Sequence, residues 1–113
     1  MAIEVYGPKT ITIEDGDTSN DLEITGPNGI LRTVILETPA LTDATASITI
    51  TDDDDYTIYQ ATGVAGSSVS GQNASSLARE LYGDAITITI EITGAQGTDK
   101  DFEVKLIYEK VAG

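Results

Sequence analysis

AITITIEIT, residues 85–93, sets Ile86, Ile88, Ile90 and Ile92 alternately with Thr87, Thr89, Glu91 and Thr93. Successive side chains of an extended chain point to opposite faces, so this period of two in β-branched residues describes a strand with one buried and one wet face. DFEVKLIYEK, residues 101–110, repeats the pattern, with Phe102, Val104, Leu106 and Tyr108 as the inward set and Glu103, Lys105 and Glu109 as the outward one. Ile107 breaks that polar face. The intervening GAQGTDK, residues 94–100, is rich in turn formers, which predicts that the two runs pair as one long antiparallel hairpin.

Upstream, TITIE (10–14), LEIT (22–25), ILRTVILE (30–37), SITIT (47–51) and YTIY (56–59) read as further short strands. GPNG, between the second and third of these, carries Pro and Asn-Gly in turn order and predicts a tight antiparallel reversal. The expected fold is therefore all-β: one antiparallel β-sandwich or jelly-roll-like domain over residues 1–113, with about seven to eight strands and at most one short helix. Residues 1–9, with Ile3, Val5 and Tyr6 ahead of Pro8, read as an N-terminal arm or an edge strand. ATGVAGSSVSGQNASS, residues 61–76, is small, uncharged and Gly/Ser-rich, which predicts a flexible loop at one end of the sandwich. SSLARELY, residues 75–82, is the helix candidate, with Ser76 as cap and Leu77 and Leu81 four apart. A helical turn and an extended edge segment fit it equally.

Composition narrows the function classes. Lys and Arg total 6 against 19 Asp and Glu, for a formal charge of −13. Binding nucleic acid or an anionic membrane needs a cationic face, which six scattered cations do not supply against that background. The chain has no Cys and no His, so disulfides, thiolate nucleophiles, Ser-His and Cys-His pairs and histidine metal sites are all excluded. Neither Gly-rich phosphate-binding pattern occurs, and no cofactor is expected. MAIEVYGPKT lacks the cationic start and apolar run of a signal peptide, so the expectation is a soluble chain made in the cytoplasm.

Two acidic stretches are candidate calcium sites. TDDDDY places Asp52, Asp53, Asp54 and Asp55 between two strands, but calcium needs six to eight converging oxygens and consecutive carboxylates alternate in direction. A charged, solvated hairpin tip is the favoured account. Asp15, Asp17, Ser19 and Asp21 have the first spacings of an EF-hand loop, but Asn20 stands where glycine is required and Gly26 where the bidentate glutamate belongs. That stretch reads as a turn. Tyr6, Tyr56, Tyr59, Tyr82 and Tyr108 read as strand residues, and Asn73-Ala74-Ser75 is a chance match to the glycosylation triplet. No catalytic, cofactor or metal residue is assigned. What remains concerns association: Ile3, Val5, Tyr6 and Ile107 are places where another subunit can dock.

In ILRTVILETPAL (30–41), ASITITDDDDYTIYQATG (46–63) and LYGDAITITIEITGAQGTDKDFEVKLIY (81–108), the chain resembles the small all-β virion proteins of tailed bacteriophages, of the capsid-decoration and accessory structural type. That resemblance implies a non-enzymatic virion protein that binds the major capsid protein or other virion proteins and forms homo-oligomers, trimers among them. The second expectation is a surface glycan- or receptor-binding module of tail- or head-fibre type, with residues 61–76, Tyr56 and Tyr59 as its contact face. Calcium stabilisation through residues 52–55 is compatible with that second reading.

Overall fold

The computed structural model of the chain describes residues 3–26, 28–73, 80–82 and 85–110. They form nine strands: β1 (Ile3–Ile13), β2 (Ser19–Thr25), β3 (Asn28–Thr38), β4 (Ala46–Thr51), β5 (Thr57–Val64), β6 (Ser68–Asn73), β7 (Glu80–Tyr82), β8 (Ala85–Ile92) and β9 (Lys100–Lys110). No helix occurs among the described residues. The strands make two antiparallel sheets, one ordered β1-β9-β3-β6 with β7 also on β3, the other β2-β8-β4-β5. The pairings nest. β4 pairs with β5, β3 with β6, β2 with β8 and β1 with β9, so the chain is a long hairpin centred on the turn after Thr51 and rolled until β3 meets β9 and β4 meets β8. This is jelly-roll order, and the expected all-β sandwich is what the sequence folds into.

The alternation seen in the sequence sets the two layers. In β8, Ile86, Ile88, Ile90 and Ile92 are buried while Thr87 and Thr89 are half exposed; in β9, Phe102, Val104 and Leu106 are buried from the opposite sheet. Ile11, Ile13, Leu31, Val34, Leu36, Ile48 and Ile50 complete one core between the sheets. β8 and β9 are interior strands of different sheets, so the expected C-terminal hairpin is not formed. Residues 93–99 cross from one layer to the other instead. The reason lies in the pattern: two strands with one apolar face each can bury those faces side by side or across a sandwich, and alternation is identical in both cases. GPNG misleads in the same way, since β2 and β3 also lie in different sheets.

The Gly/Ser-rich stretch extends one strand and forms another. Residues 61–64 belong to β5 and residues 68–73 form β6, with the turn at residues 65–67; residues 74–76 of the expected loop lie outside the described residues. Tertiary pairing overrides the weak strand propensity of small residues, because β3 offers a row of backbone groups that Ser68, Val69 and Ser70 can satisfy opposite Thr38, Glu37 and Leu36. Of the two readings of SSLARELY, the extended one holds where the stretch is described: residues 80–82 are β7, paired with Asn28, Gly29 and Ile30, and residues 75–79 lie outside the described residues. At the N-terminus, residues 3–9 continue β1 as an edge strand. Its register shifts between Tyr6 and Lys9, where Gly7 has φ +106 and a Cβ would sit 2.8 Å from the Val104 carbonyl oxygen.

The core assignment is tested by a pair of neighbours on β8. Ile88→Ala, at a fully buried position, is expected to lower unfolding free energy by about 2–5 kcal/mol in urea denaturation. Thr89→Ala, facing outward, is expected to cost under about 1 kcal/mol. Equal losses would show that the two faces are not inner and outer.

Candidate functional site

The acidic tip is built by its first member. Asp52 is buried, and its Oδ1 accepts hydrogen bonds from the Asp54 and Tyr56 amides, each at 2.9 Å. Its own amide donates to the Tyr56 carbonyl oxygen at 2.9 Å, and the Asp55 amide donates to the Asp52 carbonyl oxygen at 3.1 Å. Asp55 takes the left-handed conformation, φ 63, which closes the turn. One carboxylate thus organises the hairpin while Asp53, Asp54 and Asp55 face solvent. Among the described residues no group of three or more Asp or Glu side chains converges as a metal ion requires.

The second acidic stretch is also tied into the fold. The Asp17 amide donates to the Glu14 carbonyl oxygen at 2.9 Å, the Asp15 amide to Asp99 Oδ1 at 2.8 Å, and Asn20 Nδ2 to the Thr12 carbonyl oxygen at 2.8 Å. Gln96 binds this end together. Its buried side chain donates from Nε2 to the carbonyl oxygens of Gly94 at 2.9 Å and Thr42 at 3.1 Å, and Oε1 accepts from the Thr42 amide at 2.7 Å. Its carbonyl oxygen accepts from the Gly16 amide at 3.1 Å. Three connections between the sheets meet on one glutamine. Nothing in GAQGTDK distinguishes that role from an ordinary turn residue.

Of the two tyrosines expected on one contact face, the structure keeps one. Tyr56 is 69% exposed, whereas Tyr59 is 8% exposed and packs in the core, where burial pushes its phenol pKa up. A register shift between Ile50 and Thr51 turns both Ile58 and Tyr59 inward, which alternation alone does not predict. Tyr6 is half buried against the core; its hydroxyl donates to the Thr25 carbonyl oxygen at 2.7 Å, and Lys9 Nζ lies 5.3 Å from its ring centre.

The structure also assembles a cleft that no local pattern announces. It has a volume of about 450 Å3 and is lined by Glu37, Thr38, Pro39, Ser67, Ser68, Val69, Asp101 and Glu103. Glu37 of β3 lies directly opposite Glu103 of β9 and Val69 of β6. The hydrogen bond with Glu37, and then its charge, hold the Glu103 carboxyl above its ordinary pKa of 4.5, against the opposing pull of Lys105. Asp101 Oδ1 accepts from Thr12 Oγ1 at 2.6 Å. The Thr38 hydroxyl is buried without a hydrogen-bond partner. Chemically the cleft is open and acidic, an arrangement that favours cationic groups.

Comparison with known proteins adds little. No family model and no curated protein matches the chain. A chain in the structure of infectious bursal disease virus, Gt strain, is similar at a TM-score of 0.38 and 9% identity, covering 94% of this chain and 32% of that one. A chain of the Gx strain gives a TM-score of 0.33 and 9% identity, covering 95% and 32%. The protein thus spans about a third of the length of those chains. TM-scores this low do not establish a shared fold, and no role comes to this chain from them.

Two measurements check the site. Asp52→Ala is expected to lower unfolding free energy by about 1.5–3 kcal/mol, because two amides lose a charged acceptor, while Asp53→Ala stays near neutral. Similar effects at both positions would show that Asp52 does not organise the turn. For the carboxylate pair the sign follows from the raised folded-state pKa of Glu103: its stabilisation is complete below pH 4.5 and is lost as pH rises through the raised value. Glu37→Gln is therefore expected to raise the melting temperature at pH 7, with the gain vanishing near pH 4. A gain that is independent of pH would rule out the shared proton.

Proposed function

We propose that this chain is a single-domain, non-enzymatic structural component of a virus particle, of the capsid-decoration type found in tailed bacteriophages, which binds the major shell protein and strengthens the head. The reading is carried by the strand order: nested pairs rolled into two sheets around a mainly apolar core, an arrangement that recurs in viral shell and lectin domains. That support is fold-level analogy, and function resides in surfaces rather than in the fold. The surfaces agree with it. The chain carries no His or Cys, the cleft beside β3 and β9 is open and acidic, and the exposed apolar side chains Ile3, Val5 and Val69 offer contacts to another protein. The net charge of −13 suits an encounter with a basic shell surface, where opposite charge steers association.

The second reading, a glycan- or receptor-binding module, keeps Tyr56 beside the exposed Asp53, Asp54 and Asp55 as a contact point but loses Tyr59 to the core. Particles of the virus that encodes the chain decide between the two. The first reading expects the protein to co-sediment with purified particles, and particles lacking it to lose their contents at lower temperature. Its absence from particles, or unchanged heat resistance without it, overturns that reading. A glycan array on which Tyr56→Ala abolishes binding favours the second.

A further inference from the structure

The two outer faces of the sandwich are unlike. On the four-stranded sheet, register sets Asp21 beside Thr89, Thr89 beside Thr49 and Thr49 beside Gln60, with Glu23 and Thr87 in the next row. Among its described residues this face shows no large apolar side chain. The five-stranded sheet differs. Val5 lies beside Ile107, Ile107 beside Thr33, and Ile35 two positions further along β3. Antiparallel partners share a face, so Val5 and Ile3 project on the same side as Ile107 and Glu109. Ile3 is 60% exposed, Val5 57% and Val69 68%, while Ile35 and Ile107 are half buried. Among the described residues, nothing in the chain covers this strip.

One end of the strip is acidic. Val69, Glu37 and Glu103 form one cross-strand row, and Asp101 lies beyond it. Lys105 is the cation between Glu103 and Ile107 on β9, and Arg32 is already committed to Glu109 at 2.7 Å. Like charges placed directly opposite one another cost stability unless something neutralises them. A second copy of the chain brings another −13 to the same place and is opposed by charge. A basic surface is favoured by it.

Resting on the structural-component reading above, we propose that the outer face of the five-stranded sheet is the docking surface, and that its partner is a protein surface presenting an apolar ridge flanked by lysine or arginine. The Thr-rich face of the other sheet is then the one left toward solvent. Apolar contact through Val5, Ile35 and Ile107 supplies the burial, and the Glu37–Glu103 row fixes orientation by charge.

The test uses the full chain, isotopically labelled, titrated with a synthetic alternating Lys-Val peptide as the probe and followed residue by residue by NMR. Shifts are expected on β1, β3 and β9, centred on Val5, Ile35 and Ile107. The Val5→Thr/Ile107→Thr double variant, which keeps β-branched residues in both strands, is expected to weaken binding about tenfold through lost apolar contact. Glu37→Gln/Glu103→Gln is expected to weaken it and to flatten its salt dependence. Shifts centred on residues 53–55 or on the Thr-rich face, affinity unchanged in the first double variant, or no binding at millimolar peptide overturn the proposal. So does a dimer of the chain alone that the first double variant dissolves, which would make a second copy the occupant. The outcome is separable from the particle experiment: absence from particles sinks the structural-component reading but leaves this map intact, whereas a map on the other face sinks the docking surface whatever the particles show.

Discussion

Everything in this molecule depends on the apolar ladders of β8 and β9 facing each other across the space between two sheets. β8 lies between β2 and β4, and β9 between β1 and β3, so each is flanked on both sides and contributes its isoleucines, or Phe102, Val104 and Leu106, to one shared core. Burial of such side chains is worth roughly 1.5–3 kcal/mol each, and a chain without disulfides has no other large source of stability. The remaining strands extend these two walls outward to the edges.

Given that core, polar residues at the sandwich ends have structural work to do. Asp52 closes the β4–β5 turn by accepting two amides, and Gln96 joins three crossovers, reaching Thr42 through both ends of its side-chain amide and Gly16 through its backbone carbonyl oxygen. Buried polar side chains persist only when their hydrogen bonds are made, and these two meet that condition. The acidic stretches therefore divide by position. Asp52 serves the fold, as Asp99 and Asp101 do through Asp15 and Thr12, while Asp53, Asp54 and Asp55 keep the tip solvated.

What is left for function lies on the outside. Among the described residues the interior is filled by apolar side chains, and the proposed role rests on surfaces. Charge is spread over the molecule, but among the described residues the exposed large aliphatic side chains lie at β1 and β6, the edges of one sheet, with Ile35 and Ile107 between them. The like-charged Glu37 and Glu103 lie in that same sheet, an arrangement that weakens the isolated chain and makes a cationic neighbour favourable.

The sequence by itself determined the strand class, the existence of seven strands, the inward and outward residues of β8 and most of β9, and the absence of thiol and imidazole chemistry, because each is a property of local alternation or of composition. It did not determine which strands pair. The β8–β9 separator and GPNG both look like hairpin turns, yet the hairpin between consecutive strands is β4–β5, since alternation cannot distinguish a neighbour in the same sheet from one across the core. Strand β6 was illegible, and β7 legible only as an alternative to a helical turn, for a related reason: their order comes from pairing with β3 and not from their own residues. The Glu37–Glu103 pair and the inward turn of Tyr59 likewise needed the tertiary structure. One arises from contact between strands distant in sequence and the other from a register shift, and neither leaves a mark in the order of residues.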